Sequence, residues 1–201
     1  MIFNNLEATR IFYLPDFPKV LLAIFSSNLT VDVVKNDTLA YGVDEQGYIT
    51  WIHLLNVDME YATPGLQHLT DELKAKVESY VQIKIPWVDA RDFVVGQVVE
   101  IEPLQRFQLA KVNIGNQVVS IVCGAANLHL NQKTVVALNN SVLPDGTLIR
   151  EGDVGGVLSM GMLCSLSELT NRPSAKGIVS VKSKFENGSI VNLLQLEDWL
   201  C

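Results

Sequence analysis

Short apolar runs separated by polar and turn-forming residues fill the first part of the chain: Ile11–Leu14, Val20–Phe25, Leu29–Val34, Leu39–Val43 and Tyr48–Leu55, the last preceded by Glu45-Gln46-Gly47. Runs of this length bounded by turn signals predict β-strands, here a small curled antiparallel sheet. The period then changes. Leu69, Leu73, Val77 and Tyr80 or Val81 recur at the three-to-four spacing of an amphipathic helix. Thr70 can cap its first turn, and Asp71 and Glu72 place negative charge at the positive end of the helix dipole. A helix packed on a sheet predicts an α/β-type amino-terminal domain of α+β class over residues 1–89, with no function legible in it.

Lys84 to Asp92, "KIPWVDARD", reads as a junction, because Pro86 cannot continue a helix and the charge balance changes there. A second domain is expected over residues 90–201. Its strands are predicted at Phe93–Ile101, Phe107–Ile114, Val118–Cys123, Thr134–Leu138 and Ile178–Val181. Gly115-Asn116 tolerates the positive φ of a tight hairpin turn. Five strands in this span predict a small all-β barrel. On its second strand, alternation puts Ala110, Val112 and Ile114 on one side and Phe107, Leu109, Lys111 and Asn113 on the other.

The chain has 201 residues, 48% hydrophobic and 18% charged, enough to bury one large core or two small ones. Cys123, Cys164 and Cys201 form an odd set without C-x-x-C spacing, which argues against a disulfide framework and a zinc ribbon and points to a reducing compartment. The run Val20–Phe25 is too short to span a bilayer, and Asp16 with two flanking prolines makes a poor signal peptide. A cytoplasmic protein with no membrane partner is expected.

The net charge of −7 opposes nucleic-acid binding, but it is unevenly spread. Residues 1–90 hold six Lys+Arg against twelve Asp+Glu, and residues 91–201 hold nine against ten, which is −6 and −1. No carboxylate side chain occurs from Pro103 to Pro144, where Arg106, Lys111 and Lys133 lie. None occurs from Leu169 to Phe185, where Arg172, Lys176, Lys182 and Lys184 lie. These are two locally cationic stretches, as an electrostatic footprint requires.

Six fragments in the second half, "DFVVGQVVEIEP", "KVNIG", "SIVCGAANL", "VVAL", "VLPDGTLI" and "GGVLSMGMLCSLSEL", stand in the order and near the spacing of one family. They resemble the tRNA-binding OB-fold domain found at the front of the bacterial phenylalanyl-tRNA synthetase beta subunit, at the back of many methionyl-tRNA synthetases and in free-standing proteins. The whole chain resembles the free-standing YtpR-type tRNA-binding proteins. The resemblance implies a five-stranded Greek-key barrel and tRNA as partner. Where the family writes a "HPNADKL"-like segment, this chain has "EPLQRFQL", Glu102 to Leu109. Arg106 matches the lysine and Phe107 the leucine. The histidine, asparagine and aspartate have no counterpart, so no binding role is carried onto them.

In "GGVLSMGMLCSLSEL", Gly155, Gly156 and Gly161 allow close backbone approach to a phosphate or sugar, and Ser159 and Ser165 offer hydroxyls. The resemblance implies that Ser159, Gly161, Met162 and Ser165 belong to the RNA-binding face; the alternative is that the glycines and methionines simply turn the chain and plug the barrel. Asn127 is the further hydrogen-bonding candidate. Arg106 and Lys111 would supply charge, with Lys133, Arg172, Lys176 and Lys182 behind them. Aromatic rings are too few for a row of base-stacking platforms, so a folded RNA held by backbone and shape is expected rather than DNA or a splayed single strand. A cysteine nucleophile with His129 finds no supporting motif, and His53 and His68 lack metal-ligand spacing. The expectation is a non-enzymatic protein without cofactor, metal or catalytic residues. A homodimer stays open, because free-standing relatives of the module can pair. The rival reading is a protein-interaction module that keeps the barrel after losing RNA affinity.

Overall fold

The computed structural model describes residues 2–3, 9–14, 19–59, 65–88, 90–174 and 176–201. They form two compact units, Met1–Ala90 and Arg91–Cys201. Asp89, at the expected boundary, lies outside the described residues.

The first unit carries β1 (Arg10–Leu14), β2 (Val20–Ile24), β3 (Asp32–Lys35), β4 (Leu39–Val43), β5 (Ile49–Leu54) and β6 (Gly65–Gln67), then α1 (Asp71–Val81). The strands make one sheet in the order β3-β4-β5-β2-β1-β6, antiparallel at every pairing. Thr70 caps α1 by accepting from the Leu73 amide, and Leu73, Val77 and Val81 of the apolar stripe join Ile11, Leu21, Ile52 and Leu54 in one core. Glu78 anchors the chain just beyond the helix: its carboxylate accepts from Lys84 Nζ at 2.6 Å, the Ile85 amide at 3.1 Å and the Trp87 indole at 3.0 Å. Those donors lower its pKa to about 2, the Lys84 hydrogen bond contributing most. Against the α+β expectation the balance lies further towards β, six strands to one helix among the described residues. Gly65–Gln67, too short to show a period, joins the sheet beside β1.

In the second unit the strands are β7 (Phe93–Pro103), β8 (Gln108–Asn113), β9 (Val118–Cys123), β10 (Lys133–Leu138), β11 (Gly152–Val154), β12 (Val157–Ser159) and β13 (Gly161–Leu163), followed by α2 (Leu166–Thr170) and α3 (Leu196–Trp199). Five form an antiparallel sheet in the order β13-β10-β7-β8-β9. The long strand β7 turns a corner: Phe93–Gln97 pairs with β10 and Gln97–Pro103 with β8, with a bulge at Val99 that supplies the bend. The sheet curls until β12 and β13 lie against β9, and the Met160 amide donates to Ser120 O at 2.8 Å. The result is a nearly closed five-stranded barrel. Gly96 makes its interior possible, since a Cβ there would fall 2.5 Å from Val136 Cγ2 and 2.6 Å from Val112 Cγ1.

Two cores flank β7 and β10. Val94, Val98, Val112, Ile121 and Val136 fill the barrel, while Phe93, Val95, Val135 and Ala137 pack outward against Cys164, Leu169, Val181, Val191 and Leu196. Both faces of β10 and of the first half of β7, Phe93–Val98, are thereby buried, which is why these segments read as continuous apolar runs. The carboxy-terminal segment covers that side. Ile178–Val181, predicted as the fifth strand, instead makes isolated bridges to Ser165 and Leu200. The fifth strand is β13, inside "GGVLSMGMLCSLSEL".

Candidate nucleic-acid interface

Covering β7 and β10 leaves the outer side of β8 and β9 open. Ala110, Val112 and Ile114 point inward and are buried, as alternation predicts. On the other side Lys111 and Asn113 are half-buried and Phe107 is exposed, while Leu109 is buried despite its outward register. Lys111 Nζ donates to Ser120 Oγ at 3.0 Å across the β8–β9 pair. Its other neighbour in register is Glu100 on β7, which is exposed, as is Glu102.

Three loops meet at one end of this surface. The 104–107 loop is closed by the Leu104 amide donating to Phe107 O at 2.9 Å, and it presents Arg106 and Phe107 to solvent. Gln108 Nε2 donates to Ala125 O at 3.3 Å and ties the 124–127 loop to the start of β8. A Cβ placed on Gly124 would stand 3.4 Å from the Phe107 ring, and one on Gly155, at the β11–β12 turn, 3.5 Å from it. Phe107 therefore joins residues far apart in sequence.

Most of the expected site residues hold the protein together. Ser159 is 5% exposed; its hydroxyl accepts from the Val122 amide at 3.1 Å and donates to Gly161 O at 3.0 Å, both inside the unit. Its hydroxyl, expected on the RNA face, is engaged within the unit. Gly161 allows close approach, but to protein: a Cβ there would lie 2.5 Å from Ala137 O, the β10 backbone that β13 pairs with. Met162 packs on the outer core. Ser165 caps α2 in a capping box, accepting from the Glu168 amide and donating to Glu168 Oε2 at 2.7 Å. Asn127 sits in an exposed loop, yet its amide group donates to Ile178 O at 2.8 Å and accepts from the Ile178 amide at 3.0 Å. The Gly156 amide, a candidate for a phosphate, donates to Asp153 Oδ1 at 3.0 Å.

The cations divide the same way. Lys133 Nζ donates to Ser183 O and Phe185 O, and Lys182 Nζ to the Glu197 and Asp198 carbonyls at the end of α3. Arg106, Arg172 and Lys176 are exposed. Among the residues singled out from sequence, Arg106 and Lys111 lie on the open side with charge to offer. Strand alternation marks Phe107 only as an outward residue; a signal for more is present, an aromatic side chain where the resembling segment has leucine.

Burial raises the pKa of both Cys123 and Cys164, which disfavours the reactive thiolate. His129 Nδ1 lies 3.1 Å from Leu130 O. His53 and His68 are half-buried, and burial lowers both pKa values. No helix among the described residues is long and apolar enough to cross a membrane.

Residues 93–190 match the family model described as "Putative tRNA binding domain". A Mycoplasma pneumoniae protein described as "Uncharacterized protein MG449 homolog" is 32% identical over 166 residues, covering 77% of this chain and 71% of that protein. The "Putative tRNA-binding protein YtpR" of Bacillus subtilis is 40% identical over 101 residues, 48% of this chain and 50% of that one. The phenylalanine–tRNA ligase beta subunit of Fusobacterium nucleatum is 40% identical over 127 residues, 61% of this chain but only 16% of the subunit. The chain thus spans half of the Bacillus protein and a small part of the ligase subunit. The barrel and these matches agree, and the chain belongs to the YtpR-type family of proteins that carry a tRNA-binding domain.

Proposed function

We propose that this chain binds tRNA through the β8–β9 side of its second unit, as a non-catalytic cytoplasmic module. The barrel is an OB-fold: its first and second strands, β7 and β8, are joined by the 104–107 loop, and its fourth and fifth, β10 and β13, by the segment carrying the β11–β12 hairpin. Oligonucleotides bind OB-folds on the face of the second and third strands and on these two connecting loops. The observation that carries the reading is the meeting of those loops at Phe107, beside exposed Arg106 and outward Lys111.

With so few free cations, binding is modest and salt-sensitive. Titrating the full chain with a tRNA transcript at two salt concentrations should show binding at low salt. The expected slope of log K against log salt is roughly −2 to −3, about −0.9 per phosphate contact. No binding at low salt overturns the proposal. The interaction-module reading draws support from Glu100 and Glu102, exposed on the strand beside Lys111, and it predicts that null result.

A further inference from the structure

Of the four aromatic residues in the second unit, Phe93 is buried, and Phe185 and Trp199 are half-buried and stacked on each other at 3.9 Å between centroids. Phe107 is 38% exposed. The Cδ1–Cε1 edge of its ring lies 3.4 and 3.5 Å from where a Cβ on Gly124 would stand, and its Cδ2–Cε2 edge 3.5 and 3.6 Å from the same point on Gly155. Neither glycine has a side chain to lay over the ring. Two separate loops therefore approach the ring from its δ1–ε1 and δ2–ε2 sides and hold it, while part of the residue stays open to solvent. A ring held in advance loses little entropy when a ligand settles on it.

We infer that Phe107 is a stacking platform for one unpaired nucleobase of the bound RNA, an inference that rests on the tRNA-binding reading above. Every base offers a π-face, so a lone platform is indifferent to base identity but selects an RNA with an unstacked base over an unbroken duplex. Arg106, the preceding residue, is exposed and offers a guanidinium to the phosphates of the bound RNA. The platform adds to charge and shape a contact that salt does not screen.

The test compares wild type, Phe107→Leu and Phe107→Tyr in binding to a tRNA transcript and to a blunt RNA duplex of similar length. Leucine keeps apolar contact with the two glycines, and a urea midpoint for each variant checks folding. Phe107→Leu should weaken tRNA binding by about five- to 150-fold, the range for losing one base–aromatic stack, with the salt slope unchanged. Phe107→Tyr should bind like wild type, and duplex affinity should be the same for all three. Unaltered tRNA affinity in Phe107→Leu, or equal losses for tRNA and duplex, overturns the platform alone. A wild-type chain that binds no tRNA overturns it together with the reading beneath it.

Discussion

The stretch from Gly155 to Leu169 and the loop from Leu104 to Phe107 exchange the roles their residue types suggest. The first is rich in glycine, serine and methionine, the chemistry of a phosphate cradle, yet β12 and β13 within it close the barrel, Ser159 is spent on internal hydrogen bonds and Ser165 caps a helix. The second departs most from the resembling segment, yet it presents an exposed arginine and an exposed ring. A glycine that permits close approach does not say what approaches. Here it is the Ala137 carbonyl of a neighbouring strand. A short connection whose backbone is satisfied locally keeps its side chains free.

The contrast breaks first at Gly161. Gly161→Ala drives a Cβ into the Ala137 carbonyl from a backbone at φ 154, and should cost roughly 2–3 kcal/mol in a urea titration. tRNA affinity per folded molecule should stay unchanged; a stable variant that had lost affinity would return this stretch to the RNA face. Ser159→Ala leaves the Val122 amide and the Gly161 carbonyl without their partner, and about 1–2 kcal/mol of stability should go with it, again without a specific binding defect.

Arg106→Gln and Lys111→Gln should do the reverse. Each should weaken tRNA binding about fivefold at low salt and reduce the salt slope by about 0.9, while stability moves by less than about 0.5 kcal/mol. The smallest effect belongs to Glu100→Gln. Removing the carboxylate beside Lys111 should tighten tRNA binding about twofold at low salt, and not at all at high salt. If Glu100→Gln instead weakens binding, the β7–β8 surface recognises something other than phosphate.

Where short-range physics decides, the sequence is readable. Val118–Cys123 is a strand over the predicted span, residue for residue, and Thr70 with the Leu73, Val77, Val81 stripe announces α1 and its buried face. The elements that escape are set by long-range pairing. Three residues from Gly161 to Leu163 show no period, and only the β10 edge makes them a strand. Ile178–Val181 is an apolar run of strand length, but the partners it meets give its backbone only isolated bridges. The same limit governs the site. Exposure of Arg106 follows from a tight loop, whereas burial of Ser159 and capture of Asn127 by Ile178 depend on partners 37 and 51 residues away.

Crosslinking tRNA to the full chain at low salt, followed by peptide mapping, tests the central claim most directly. Crosslinks should fall in peptides that contain the 104–107 loop and the outer residues of β8, with the 124–127 loop next. Crosslinks confined to the first unit, or to residues 165–201 that cover the other side of the barrel, would contradict it.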